Sequence, residues 1–223
     1  RSTFSGGLGF VLAAASSAIG LGNLWRFPYL AAQYGGGIFI LVYIILALTF
    51  GFTLMTTEIA IGRKTKLSPT RAYKEVDSKF GFIGPIAFII PVIILPYYCV
   101  IGGWVTKYVT VFAAGQNIAA AEDSFFGNFI GREYAPLIFF IIFLGLTSLI
   151  VISGVEKGIE KVSSYLMPAL IVLAVIICIY VITIPGSSAG IKYYLLPDFS
   201  KFSFKTVCAA MGQMFYSMSL AMG

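Results

Sequence analysis

The sequence has no histidine and only three cysteines. Without histidine there can be no Ser-His triad, no imidazole metal site and no histidine proton relay. Cys99, Cys178 and Cys208 each lie within an apolar segment. An odd number of cysteines so placed builds no disulfide framework, and no close pair offers zinc ligation. Charge is scarce as well, at 11% of residues, against about 25% in soluble chains. What fills the chain instead is apolar: 59% hydrophobic residues and a mean hydropathy of +0.94. This is the composition of a membrane protein.

The apolar residues come in blocks long enough to cross hydrocarbon, for which about 20 residues suffice. Spans are expected near 8–33, 37–62, 86–113, 135–153, 163–184 and 206–223, forming one transmembrane domain over 1–223. The first span is interrupted around 18–23, and the last stops at an interruption of its own. The first is too long and too glycine-rich at its centre to be a cleaved signal peptide. A chain that opens on Arg1 and closes on Gly223 inside an apolar segment is expected to be part of a longer one. The net charge of +6 is not read as nucleic-acid affinity, because much of it sits in the loop "GRKTKLSPTRAYKEVDSK". Positive residues in short loops mark the cytoplasmic side, which makes the N-terminus cytoplasmic too. Glu122, Asp123, Arg132 and Glu133 suit the outside. "SGVEKGIEKVS" is neutral, and Lys192, Lys201 and Lys205 against Asp198 vote weakly the other way. The first strong bias usually decides. A multi-pass protein of the cell (plasma or inner) membrane is expected.

The stretch "SSAIGLGNLWRFPYL", Ser16 to Leu30, begins as a membrane helix and then gathers Gly20, Gly22, Asn23, Arg26 and Pro28. Backbone polar groups facing lipid must be satisfied internally, so a helix unwinds at depth only inside protein or beside a polar cavity. Glycine eases the unwinding. A break frees carbonyls that attract a cation and amides that attract a carboxylate. Asn23 adds an oxygen of the kind hard cations prefer. Glycines alone would suggest close helix packing; with Asn23, Arg26 and Pro28 beyond them, a break is the better reading. Arg26 reads equally as an interfacial anchor, and Pro28 as a simple kink. A second interruption is expected at "YSMSLAMG", and paired interruptions in two halves of a chain point to a transporter's site. Glu58, near the end of the second span, needs a partner or water; a structural bond to freed amides of the broken helix is preferred to a proton-carrying role. Tyr97 and Tyr98 are packing aromatics or, through a hydroxyl, partners of a bound carboxylate.

Together these segments resemble the neurotransmitter:sodium symporter family, bacterial amino-acid transporters of the LeuT type included. "GLGNLWRFPYLAAQYGGGIF", "TEIAIGR", "YYCVIGGW", "SGVEKGIEKVSSYLMP" and "GQMFYSMSLAMG" occur in family order. The resemblance implies an all-α membrane protein with the LeuT-type inverted-repeat fold: the first five-helix repeat and the start of the second. It implies two sodium sites, one at Ala18, Asn23 and Ser217 and one at Ser16 and Ile19, whose remaining ligands belong to helix eight. It implies a substrate pocket of Ala18, Gly20, Leu21, Gly22, Ile94, Tyr98, Ile101, Tyr216, Ser217, Ser219 and Met222. Tyr98 would bond the substrate carboxylate, and Tyr216 takes an aromatic lid position usually held by Phe. Arg26, beside Gln213, would form the outer gate, and Arg1 and Phe4 the inner one. Flexible Met222 could admit a larger side chain. Gly20 stands where monoamine carriers of the family have Asp, which argues for a substrate that brings its own carboxylate.

The implied activity is import of an amino acid with sodium by alternating access, without enzymatic chemistry. An intramembrane enzyme would need a nucleophile with a base, and Lys107 is the one lysine well inside an expected span. A channel, or a receptor that binds an amino acid without moving it, are the alternatives on the same fold. The particular amino acid, chloride dependence and oligomeric state leave no readable mark.

Overall fold

The computed structural model describes residue 15, residues 19–20 and residues 22–221, the side chains of 155–157 excepted. Among them the chain is mostly helical, and the one extended pairing is an isolated bridge between Gly36 and Pro197. A widened π turn, Gly22–Arg26, leads into α1, Phe27–Gln33. Then follow α2 (Gly37–Leu46), a π turn (Ala47–Gly51), α3 (Phe52–Thr65) and α4 (Pro69–Val76). α5 covers Ile83–Ala113, α6 Asn117–Ala120, α7 Asp123–Ile130 and α8 Ala135–Ile152. A third π turn, Val155–Glu160, opens into α9 (Lys161–Thr183), before α10 (Ser187–Leu195) and α11 (Phe204–Ser217).

Four helical stretches among the described residues are long and apolar enough to cross a membrane: Gly37–Thr65, Ser78–Ala113, Ala135–Ile152 and Gly158–Thr183. The first and last expected spans extend into residues outside the described set. Along Gly37–Thr65 the threonines turn their hydroxyls inward. Thr49, Thr53, Thr56 and Thr57 each donate to the carbonyl four residues back, at 2.7–2.8 Å. A hydroxyl satisfied by its own helix can face hydrocarbon without an orphaned donor. The outward faces of α8 and α9 carry leucine, isoleucine and valine, as a lipid or helix-lined setting requires.

The chain forms two compact units. In the unit of residues 89–159, α5 and α8 approach at Gly102 and Gly103. A Cβ at Gly102 would meet the Phe143 ring, and one at Gly103 the backbone of Phe139 and Phe140. Small residues at such a crossing let two membrane helices come within van der Waals reach. Edge-to-face aromatic pairs, Trp104 with Phe126 and Phe129 with Phe139, tie α5, α7 and α8 together.

The second unit holds the described residues before 89 and from 160 onward. Its core is Ala31, Phe39 and Ala210, from α1, α2 and α11. Phe27 packs edge-on against Phe39 and Tyr43, with centroids 5.7 and 4.9 Å away. Tyr193 and Tyr194 of α10 reach back to α1, donating to Ala32 O at 2.8 Å and Pro28 O at 2.9 Å. These contacts hold α1 against α2, α10 and α11.

Candidate functional site

The first interruption centres on Gly20. Ile19 N–H still donates to Ala15 O at 2.8 Å, but the amides of Asn23 and Leu24 converge on Gly20 O, at 3.0 and 3.4 Å. The chain then runs through the wide turn Gly22–Arg26 before tightening into α1. Pro28 sits in the first turn of α1, where its missing amide costs no helical bond.

The second interruption begins where α11 ends at Ser217. Leu220 N–H reaches back five residues to Phe215 O, at 3.1 Å. Ser219 and Ala221 take φ of +51° and +60°, the left-handed region that side chains other than glycine's avoid. Each such residue costs about 1–3 kcal/mol, strain that clusters at binding sites. Glu58 accepts from Ala221 N–H at 2.8 Å. Its described partner therefore belongs to this second break rather than to the first.

Gln213 joins the two interruptions. Wholly buried, it donates through Nε2 to Gly22 O at 3.2 Å and to Ser217 Oγ at 2.9 Å. Its Oε1 is buried with no hydrogen-bond partner among the described residues. Tyr216, one residue before Ser217, lays its ring directly on Gly22, where any Cβ would collide with it. The Arg26 guanidinium carbon lies 5.3 Å from the centre of the same ring, within cation–π range. Gly22, Arg26, Gln213, Tyr216 and Ser217 are thus one cluster. Asn23 is half-buried at its edge and engaged with neighbours, and Gly20 is half-buried while Ile19 and Ser219 are exposed.

Near the far end of α3, Glu58 and Tyr73 line a small cavity with Ile61, Gly62 and Pro69. Burial raises the Tyr73 phenol above its ordinary value, with the Glu58 charge adding to the effect. Ile94, Tyr98 and Ile101 lie along α5 in the other unit, Ile101 buried and the other two half-buried. Arg1, Phe4, Ser16, Ala18, Leu21 and Met222 fall outside the described residues. No group of three or more histidine, cysteine, aspartate or glutamate side chains gathers among the described residues.

A family model described as the sodium:neurotransmitter symporter family matches residues 1–121 and 128–223. The chain belongs to the sodium:neurotransmitter symporter family. This symporter-family chain is 34% identical over 221 residues to the uncharacterized sodium-dependent transporter YhdH of Bacillus subtilis, covering 96% of itself and 48% of that relative. It is 35% identical over 234 residues to a sodium-dependent transporter of Methanocaldococcus jannaschii, over 100% of itself and 48% of the relative. The crystal structure of MhsT in complex with L-phenylalanine superimposes with a TM-score of 0.90 at 34% identity, covering all of this chain and 52% of that one. The fold is accordingly the LeuT-type membrane fold, and the chain spans about half the length of the relatives it matches.

Sequence reasoning reached Gln213 only as a neighbour of the outer gate. Its place as the bridge between the breaks is not visible in a motif, because Gly22 and Gln213 are 191 residues apart. A polar, uncharged residue inside the apolar run before "YSMSLAMG" was the available signal.

Proposed function

We propose that this chain carries the first half of a symporter that imports an amino acid together with sodium by alternating access. The observation that supports it most is the meeting of two interrupted segments, tied by one buried amide to Gly22 O and Ser217 Oγ. Freed carbonyls and hydroxyls suit a small hard cation, and freed amides suit a carboxylate. One sodium ion would take Ala18 O, the Asn23 side chain, Ser217 Oγ and the substrate carboxylate. A second would use the carbonyls of Ser16 and Ile19 with ligands from further along the full chain. The substrate would lie among Gly20, Gly22, Tyr216, Ser219 and their neighbours, with Tyr216 closing over it beneath Arg26. An amino acid is the substrate class because Gly20 leaves the carboxylate to be supplied by the ligand, and because MhsT, which shares the fold, was solved with L-phenylalanine.

Sharing a ligand couples the two affinities, and the coupling is reciprocal. An inside-negative potential adds about 2.3 kcal/mol per sodium per 100 mV to the driving force. The test is uptake of labelled amino acids into liposomes holding the full-length protein, with and without an inward sodium gradient. Accumulation above equilibrium only with the gradient is the expected result. Binding without accumulation would make the protein a receptor, and flux that does not saturate would make it a channel. Asn23→Ala is expected to weaken sodium and substrate binding together; loss of neither would remove the shared site.

A further inference from the structure

The helix Gly37–Thr65 is widened to a π turn at Ala47–Gly51. Such bulges are rare and favour functional positions. This one ends on a buried glycine facing the second break. A Cβ at Gly51 would meet Sδ and Cε of Met218 and Sδ of Met214. Met218 is the first residue past α11, between Ser217 and left-handed Ser219. Two turns further along the same helix, Glu58 accepts from Ala221 N–H at 2.8 Å. The unwound segment 218–221 is therefore held at both ends by one helix: its first side chain in a glycine notch, its last amide on a carboxylate.

We infer that Gly51 and Met218 are positioning residues, a notch and its plug that set the path of 218–221 and so the placement of Ser217 and Ser219. The inference rests on the transporter reading only for its consequence on uptake. Met214 is wholly buried and has no room to yield. Met218 is half-buried, and it is the end of its flexible chain that meets the notch. A methyl group at Gly51 would thus expel the Met218 thioether and leave the helix standing.

The experiment is a double-mutant cycle in the full-length protein: Gly51→Ala, Met218→Ala and the pair, each read by hydrogen exchange and by sodium-driven uptake. Either single change is expected to speed exchange at the Leu220 and Ala221 amides about tenfold, the scale of one lost packing contact. It should raise KM for the substrate more than it lowers kcat, a split that general destabilisation would not give. With Met218 already alanine, Gly51→Ala should add less than it does alone, since contacting residues are non-additive and only the looser Met214 contact is left. Unchanged exchange in the single variants, or additive effects in the pair, would overturn the inference. Should Gly51→Ala fail to reach the membrane, Met218→Ala alone decides it, and unchanged exchange there is the contrary result. If the wild type shows no sodium-driven uptake, the transporter reading fails while the exchange cycle still decides the notch.

Discussion

Tyr216 leans on Gly22 so closely that the glycine is a clearance, and the close approach fixes where the Arg26 guanidinium can rest. Gly22→Ala must push the ring aside. Overpacking of this kind costs about 1–3 kcal/mol, and the displaced ring would no longer support Arg26. The expected outcome is lower thermal stability of the full-length protein and weaker substrate binding. Tyr216→Leu in the same background should recover part of the stability, because the collision is with the ring; no recovery would place the strain elsewhere. The sequence made Gly22, Asn23 and Arg26 legible as a group, since helix-breaking and polar residues stand out in an apolar run, while Ser217 joined them only through the family resemblance. It left Gly51 and Met218 unnoticed. A glycine and a methionine are ordinary in a membrane helix, and only tertiary contact gives them a role.

At the scale of elements, the apolar blocks made an all-helical membrane fold legible, and the similarity in fold to MhsT agrees with it. The three π turns were not legible, because a one-residue widening changes no hydrophobic period that a reader can follow. Nor was the attachment of α10. The stretch after Pro185 reads as short interfacial pieces, yet its two tyrosines hold α1 from 161 and 166 residues away. Each hydroxyl–carbonyl bond contributes about 0.5–1.5 kcal/mol. Tyr193→Phe with Tyr194→Phe should therefore cost about 1–3 kcal/mol, since the sites are adjacent but the acceptors differ. The rings and their edge-to-face packing at 5.9 Å remain, so the loss isolates the hydroxyls. Chemical unfolding in detergent would measure it. A cost near zero would mean that water replaces both hydroxyls and that the packing of α10, Tyr194 against the core included, holds it in place.

For the whole molecule, family membership and half-length coverage leave the sidedness in the membrane to be argued from charge. Arg63, Lys64, Lys66, Arg71, Lys74 and Lys79 crowd the end of Gly37–Thr65, the connection after it and the start of Ser78–Ala113, against Glu75 and Asp77. The next connection carries Glu122, Asp123 and Glu133 against Arg132. Lysine and arginine bias in short connections sets orientation, while acidic residues contribute little. By this rule the first connection is expected to be cytoplasmic and the second external. Ser78, at the very start of Ser78–Ala113, and Asn128, in the next connection, are both exposed and can be replaced by cysteine in the full-length protein once its native cysteines, Cys99, Cys178 and Cys208 among them, are removed. A membrane-impermeant thiol reagent applied to intact cells should label Asn128→Cys at once and Ser78→Cys only after the membrane is opened. Both positions carry small polar side chains outside the charged set, so neither substitution alters the bias it reports. The reverse labelling would put the basic segment outside and turn the proposed import pathway around, with Arg26 and Tyr216 then closing the cytoplasmic side of the site.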